Sequence, residues 1–132
     1  MVAIKDQTIA WRDGEAYSAP VKALVIIYAR TLVALTVDGY AVPAGHADAV
    51  VIAGISGHHA DNTNGFDGDG EVRIEKRRAF ELAFDAPPAI ADIGKPVYAI
   101  DNNTVSLSDA EGSRLKAGTL DGIERGAAWT LI

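Results

Sequence analysis

The sequence predicts a mainly β protein, a small β-barrel or β-sandwich with an extended N-terminal arm and one short helical turn. Three observations lead there. Short apolar runs recur every eight to twelve residues with turn signals between them. An Asp38-Gly39 pair separates two such runs, the strongest local sign of a hairpin, since a type I′ turn needs positive φ at both central positions. The 132 residues hold 13 glycines and 5 prolines, most of them at the boundaries of these runs.

Residues 1–20 are polar and broken by Asp13-Gly14 and Pro20. Ile4, Ile9, Trp11 and Tyr17 are spaced too irregularly for a helix face or an alternating strand, so the segment reads as an extended arm preceding a single domain over 21–132. Trp11 is a large apolar group to leave in water. It either folds back onto the domain's own core or docks on a neighbour.

Residues 21–37 are rich in Val, Ile, Leu and Thr with both alternating faces apolar, as in strands covered on two sides or lying against another subunit. Residues 32–37 are expected to pair with 40–42 across Asp38-Gly39. A further strand spans 49–55, and 58–70 reads as a loop of Asp, Asn and Gly. Over 71–84, Val72, Ile74, Phe80, Leu82 and Phe84 share one parity. The helical propensity of 75–82 competes, but a period of two over the whole segment favours strand.

Pro87-Pro88 opens a short helical turn that runs to Ile93, with Gly94 placed to end it in the left-handed conformation. Residues 97–100 and 104–107 form another hairpin about an Asn102-Asn103 turn. A strand over 116–123, a turn at Glu124-Arg125-Gly126 and a last strand over 127–132 complete the chain.

Composition narrows the function. Eighteen acidic against twelve basic residues give a net charge of −6 and a pI near 4.9, which argues against binding a phosphate backbone. Nucleic acid is therefore not an expected partner. The longest apolar run, 23–29, is too short to span a bilayer, and the N-terminus lacks the pattern of a secretory signal, so a soluble protein made in the cytoplasm is expected, with no membrane partner. The absence of cysteine removes disulfides, thiolate ligands and thiol nucleophiles.

Candidate chemistry is sparse. His58-His59 with Asp61, Asp67 and Asp69 is the one cluster suggestive of a metal, yet its spacing fits neither a zinc site nor a helix-loop-helix calcium loop, which would need glycine at the sixth position and glutamate at the twelfth. Asp67, Asp69 and Glu71 are neighbours in a glycine-rich loop, a poor setting for an acid–base pair. No Gly-x-Ser-x-Gly elbow or phosphate-binding glycine loop is present. No enzymatic activity, metal or cofactor is expected. The basic triplet Lys76-Arg77-Arg78 is either a solvated face or a charged contact with an acidic neighbour.

A set of short motifs in shared order carries a resemblance. Tyr28-Ala29 with Leu32-Val33-Ala34 is followed by the 38–44 segment Asp-Gly-Tyr-Ala-Val-Pro-Ala. Asp61-Asn62 then precedes Gly68-Asp69-Gly70-Glu71-Val72, and Ile93-Gly94-Lys95-Pro96-Val97-Tyr98 precedes Asp101 and Thr104-Val105. Over about 12–132 the chain resembles the capsid cement, or head decoration, proteins of tailed phages, nearest the type found in Mu-like phages and prophages. The resemblance implies a β-rich domain, made in the host cytoplasm, that assembles as a homotrimer on the outer surface of the head and clamps neighbouring major capsid proteins. It implies no catalysis and no cofactor. Family members often carry a glycine after the Tyr-Ala pair and an Arg-Gly after the central strand, where this chain has Arg30 and Arg77-Arg78.

On that reading the capsid-binding arm would use Ile4, Ile9, Trp11, Arg12 and Tyr17, with Lys76, Arg77 and Arg78 as a charged contact. The trimer contact would use apolar strand faces over 23–37, with Val25, Ile27, Leu32 and Leu35 as candidates, and the C-terminal strands. Two other classes remain. One is a virion-surface binding or adhesion module, with calcium in the 61–70 loop. The other is a hydrolase whose acid pair is assembled by the fold.

Overall fold

A computed structural model describes residues 2–10, 12 and 14–132. In chain order its strands are β1 (Ala16–Pro20), β2 (Ile26–Ile27), β3 (Leu32–Leu35), β4 (Ala41–Pro43), β5 (Val51–Ser56), β6 (Ala60–Asp61), β7 (Glu71–Glu75), β8 (Ala79–Glu81) and β9 (Ala83–Phe84). A 3-10 turn at Ile90–Asp92 precedes β10 (Pro96–Ala99), β11 (Thr104–Ser106), β12 (Lys116–Glu124) and β13 (Ala127–Leu131). The protein is mainly β, as the turn spacing predicts.

Two sheets form the body. The first has the order β1-β7-β5-β3-β4, the second β8-β13-β12-β10-β11-β9, and β2 and β6 make a small separate ribbon. Both larger sheets curl. In the first, a single parallel bridge from Val21 to Ala41 brings the β1 end to β4, supported by the Lys22 N–H donating to the Ala41 carbonyl at 3.1 Å. In the second, β8 pairs with β13 and β9 with β11, so the run 79–84 borders both ends of the sheet. Neither forms a continuously closed barrel, and the arrangement is a sandwich.

Each sheet has a core, and the sheets share a layer. Val21, Val33, Ala34, Val42, Val72 and Ile74 pack in the first core. Leu32, Ile55 and Ala44 of the first sheet's side instead join Phe80, Val97, Val105 and Leu120 in the second. Leu32 and Ile55 are directly opposite each other on β3 and β5, and a register shift at Val33/Ala34 leaves Ala53 unpaired between Gly54 and Ile52. The apolar character of both faces in 21–37 therefore has an explanation inside one chain: β3 is covered on two sides.

That burial corrects the expected trimer contact. Val25, Ile27 and Leu32 are no more than 7% exposed, so these side chains stabilise the protomer and are not offered to a second copy, while Leu35 is half-buried against the first core.

The arm is also shorter than expected. Residues 16–20 form β1, in antiparallel register with β7 from Ala16↔Glu75 to Pro20↔Glu71, and Tyr17 packs on the first core. Between 71 and 84 strand prevails over helix, but in three pieces. Arg77 has φ 60, the Arg77 N–H donates to the Ile132 carbonyl, and the chain crosses at this point from the first sheet to the second. Val72, Ile74 and Phe80 keep their parity through the crossing and are all buried.

The turns differ from expectation in an informative way. At the β3–β4 hairpin the Thr36 carbonyl accepts from Gly39 N–H and the Thr36 N–H donates to the Tyr40 carbonyl, both at 2.9 Å. Only Gly39 has positive φ, so this is a three-residue loop with a glycine bulge rather than a type I′ turn. The I′ pattern occurs instead at Arg125-Gly126, φ 52 and 81, between the paired Glu124 and Ala127. The β10–β11 loop likewise has three residues, 101–103. There Asp101 Oδ1 accepts from the Asn103 and Thr104 N–H groups, both at 2.8 Å, which removes the need for an Asn-Asn turn.

Candidate functional site

Residues 2–10 project from the domain. Val2, Ile4 and Ile9 are 84%, 96% and 80% exposed, and among the described residues none of 2–10 shares a backbone hydrogen bond with the sheets. Trp11 lies outside the described residues. The root of the segment is held: the Arg12 guanidinium lies 5.0 Å from the centre of the Tyr17 ring and the Lys76 ammonium 5.1 Å from it. Burial pushes the Tyr17 hydroxyl pKa up, with Arg12 opposing the shift.

The basic triplet is drawn into the crossover between sheets. Lys76 sits on Tyr17, and Arg77 packs its guanidinium over Gly14, where a Cβ would collide with it. Arg78 reaches Glu75 at 3.2 Å and Glu15 at 3.8 Å. Glu75, mostly covered, also binds Arg30 at 3.1 Å, and Arg30 in turn lies 5.7 Å from the centre of the Phe80 ring. These ionic contacts tie β7, the 30–31 corner and β8 together, so much of the triplet's charge is already partnered within the chain.

The acidic loop is braced. Asn62, 6% exposed, donates through Nδ2 to the carbonyls of Val21, Lys22 and Phe66. Asp67 Oδ1 accepts from Ala23 N–H, and Asp69 Oδ2 from Phe66 N–H, both at 2.8 Å. Asp61 Oδ1 accepts from the Thr63 hydroxyl and backbone N–H, which together hold its pKa below the ordinary carboxylate value. His58 Nε2 accepts from the Arg73 N–H at 3.2 Å. His58, Asp61, Asp67 and Asp69 are thus engaged with backbone amides while His59 packs edge-on against Tyr28, and among the described residues no group of three or more His, Asp or Glu is placed to hold an ion. Asp67 and Asp69 each cap a different stretch of backbone while Glu71 lies on β7, so the three do not converge on one point.

The same end of the molecule displays apolar groups. Leu24, held at φ 64 by its N–H to the Asn62 carbonyl, is 76% exposed, and Phe66 is 81% exposed. Val37 and Val50 line a shallow depression with Lys22, two residues from Leu24. Sequence reading singled out the 61–70 loop for its carboxylates but not for this apolar display, because the hub, Asn62, looks like any loop asparagine until the fold buries it.

A second surface, also missed, lies on the outer face of the six-stranded sheet. Trp129 is paired with Glu81 on β8 and Gly122 on β12, beside Ala79, Asp121, Ile123 and Glu124. No helix among the described residues is long and apolar enough to cross a membrane. No protein-family model, curated protein or solved structure matches the chain.

Proposed function

We propose that this chain is a capsid decoration protein of the tailed-phage type, which trimerises on the outer surface of a head and grips neighbouring major capsid proteins. The observation that carries the reading is the projecting segment 2–10, whose apolar side chains have no cover while both cores of the domain are complete. Ordering nine residues costs roughly 9–18 kcal/mol of backbone entropy. Burying Val2, Ile4 and Ile9 returns only about 5–9 kcal/mol. Such a segment gains by docking only if it also adds main-chain hydrogen bonds to a partner's sheet, and three arms on one trimer multiply the gain.

A second support comes from Arg30. The resemblance leads to an expectation of glycine at that position, and Arg30 has the left-handed φ of 60 that glycine adopts without strain. At the other departure the left-handed residue is Arg77, beside the expected glycine. With Val25, Ile27 and Leu32 inside the protomer, trimer contacts would fall to surface groups such as Leu24, Val37, Val50 and Phe66.

The test uses undecorated, expanded heads of the phage whose genome encodes the chain. Intact protein is expected to co-sediment saturably, and a variant lacking residues 1–10, which leaves β1 whole, to bind at least about tenfold more weakly, equivalent to ~1.4 kcal/mol. No binding by the intact protein would overturn the reading. Equal binding by the two forms would remove the arm from it.

A further inference from the structure

The outer face of the six-stranded sheet holds a groove of about 490 Å³ lined by Ala79, Asp121, Gly122, Ile123, Glu124 and Trp129. Its floor is built of small residues: Gly122 stands directly across from Trp129, and a Cβ there would meet nothing within 4 Å. The indole is therefore uncrowded on that side. Trp129 is half-buried, with its Nε1–H turned inward and without a partner, so the ring presents carbon to the groove.

Carboxylates surround this aromatic surface. Glu81 is the cross-strand partner of Trp129 and shares its face, while Asp121 and Glu124 line the groove from β12. All three residues are exposed, and among the described residues none of their carboxylates makes a salt bridge or hydrogen bond. They contrast with Asp61, Asp67, Asp69, Asp85, Asp92 and Asp101, each of which accepts from a nearby amide or hydroxyl.

We infer that this groove is a docking site for an arginine side chain of a partner protein. An indole face attracts a cation through its quadrupole, and a guanidinium is planar enough to stack on the ring while its N–H groups reach carboxylates at the rim. The groove's complementary charge selects that occupant over an anionic or neutral side chain. The inference does not depend on the capsid reading, since it concerns a site on the isolated protein.

The probe is acetyl-Ala-Arg-Ala-amide, titrated into ¹⁵N-labelled protein while the Trp129 indole N–H resonance is followed. Trp11→Phe identifies which of the two indole signals belongs to Trp129. The arginine peptide is expected to shift that signal saturably, and the isosteric citrulline peptide to leave it in place. Asp121→Asn with Glu124→Gln should weaken the arginine peptide about tenfold or more without altering the melting temperature, because both side chains are exposed and unpaired. No shift with the arginine peptide, an equal shift with citrulline, or unchanged affinity in the carboxamide variant would each overturn the inference.

Discussion

The two sheets of this protein differ in how they are covered. In the five-stranded sheet the central strands are enclosed: β3 sends Val33 and Ala34 into one core, and β3 and β5 send Leu32 and Ile55 into another, while Glu71 and Arg73 of β7 face solvent. The six-stranded sheet is packed on one face only, with Trp129, Leu131, Ala79 and Glu81 on the other. Both parities of 32–35 are apolar because β3 is covered on two sides, not because a surface awaits a second subunit. The run over 127–132 is apolar at both parities except for the buried Thr130, so its free face, where Leu131 is exposed and binding chemistry can be built without disturbing the core, emerges only from the fold.

The largest test of this difference is a pair of truncations. Leu32→Ala, in the layer shared by both cores, is expected to cost about 2–5 kcal/mol. Leu131→Ala, 44% exposed on the open face, should cost less than about 1 kcal/mol. Urea unfolding at constant m-value separates them, and similar costs would show that the second face is covered too.

A smaller effect distinguishes the hairpins. Arg125→Asn places the favoured Asn-Gly pair in the one loop where both central residues have positive φ, and should stabilise by about 0.5–1 kcal/mol. The same change at Asp38, whose φ is not positive, should leave the unfolding midpoint unchanged. Equal responses would mean that the β3–β4 hairpin also adopts the I′ form.

The smallest effect is on acid stability. Asp92, beside the second sheet, has its pKa lowered by the Lys95 ammonium and the Ala89 N–H, and Asp61, beside the first, by Thr63. A carboxyl whose folded pKa lies below its unfolded one contributes stability above the unfolded value, near pH 4, and loses it as pH falls through the folded value. Asp92→Asn and Asp61→Asn should each make the decline in melting temperature below about pH 4 shallower. A steeper decline in either variant would contradict the hydrogen-bond assignment at that residue.

Much of the fold was legible because local chemistry and burial agree. The hairpin over 32–43, the strand parity of 72–84 and the short turn before Gly94 all follow from period and punctuation. β1 was missed because its alternation covers only five residues and ends at a proline, so pairing with β7, over fifty residues away, determines it. The crossing at Arg77 carries no signal, since arginine has no preference for left-handed backbone and tertiary contacts impose it. The candidate site was less legible still. The arm's exposed Ile4 and Ile9 could be named in advance, but the Trp129 groove exists only once residues near 80, 122 and 129 are brought into register.

The run 79–84 fixes a further property. Because its first half bonds to one end of the six-stranded sheet and its second half to the other, the unpaired backbone it leaves on each side is at most three residues long. Aggregation from one molecule to the next needs a longer template than that. The sheet can therefore show solvent an aromatic surface without seeding fibrils from its rim.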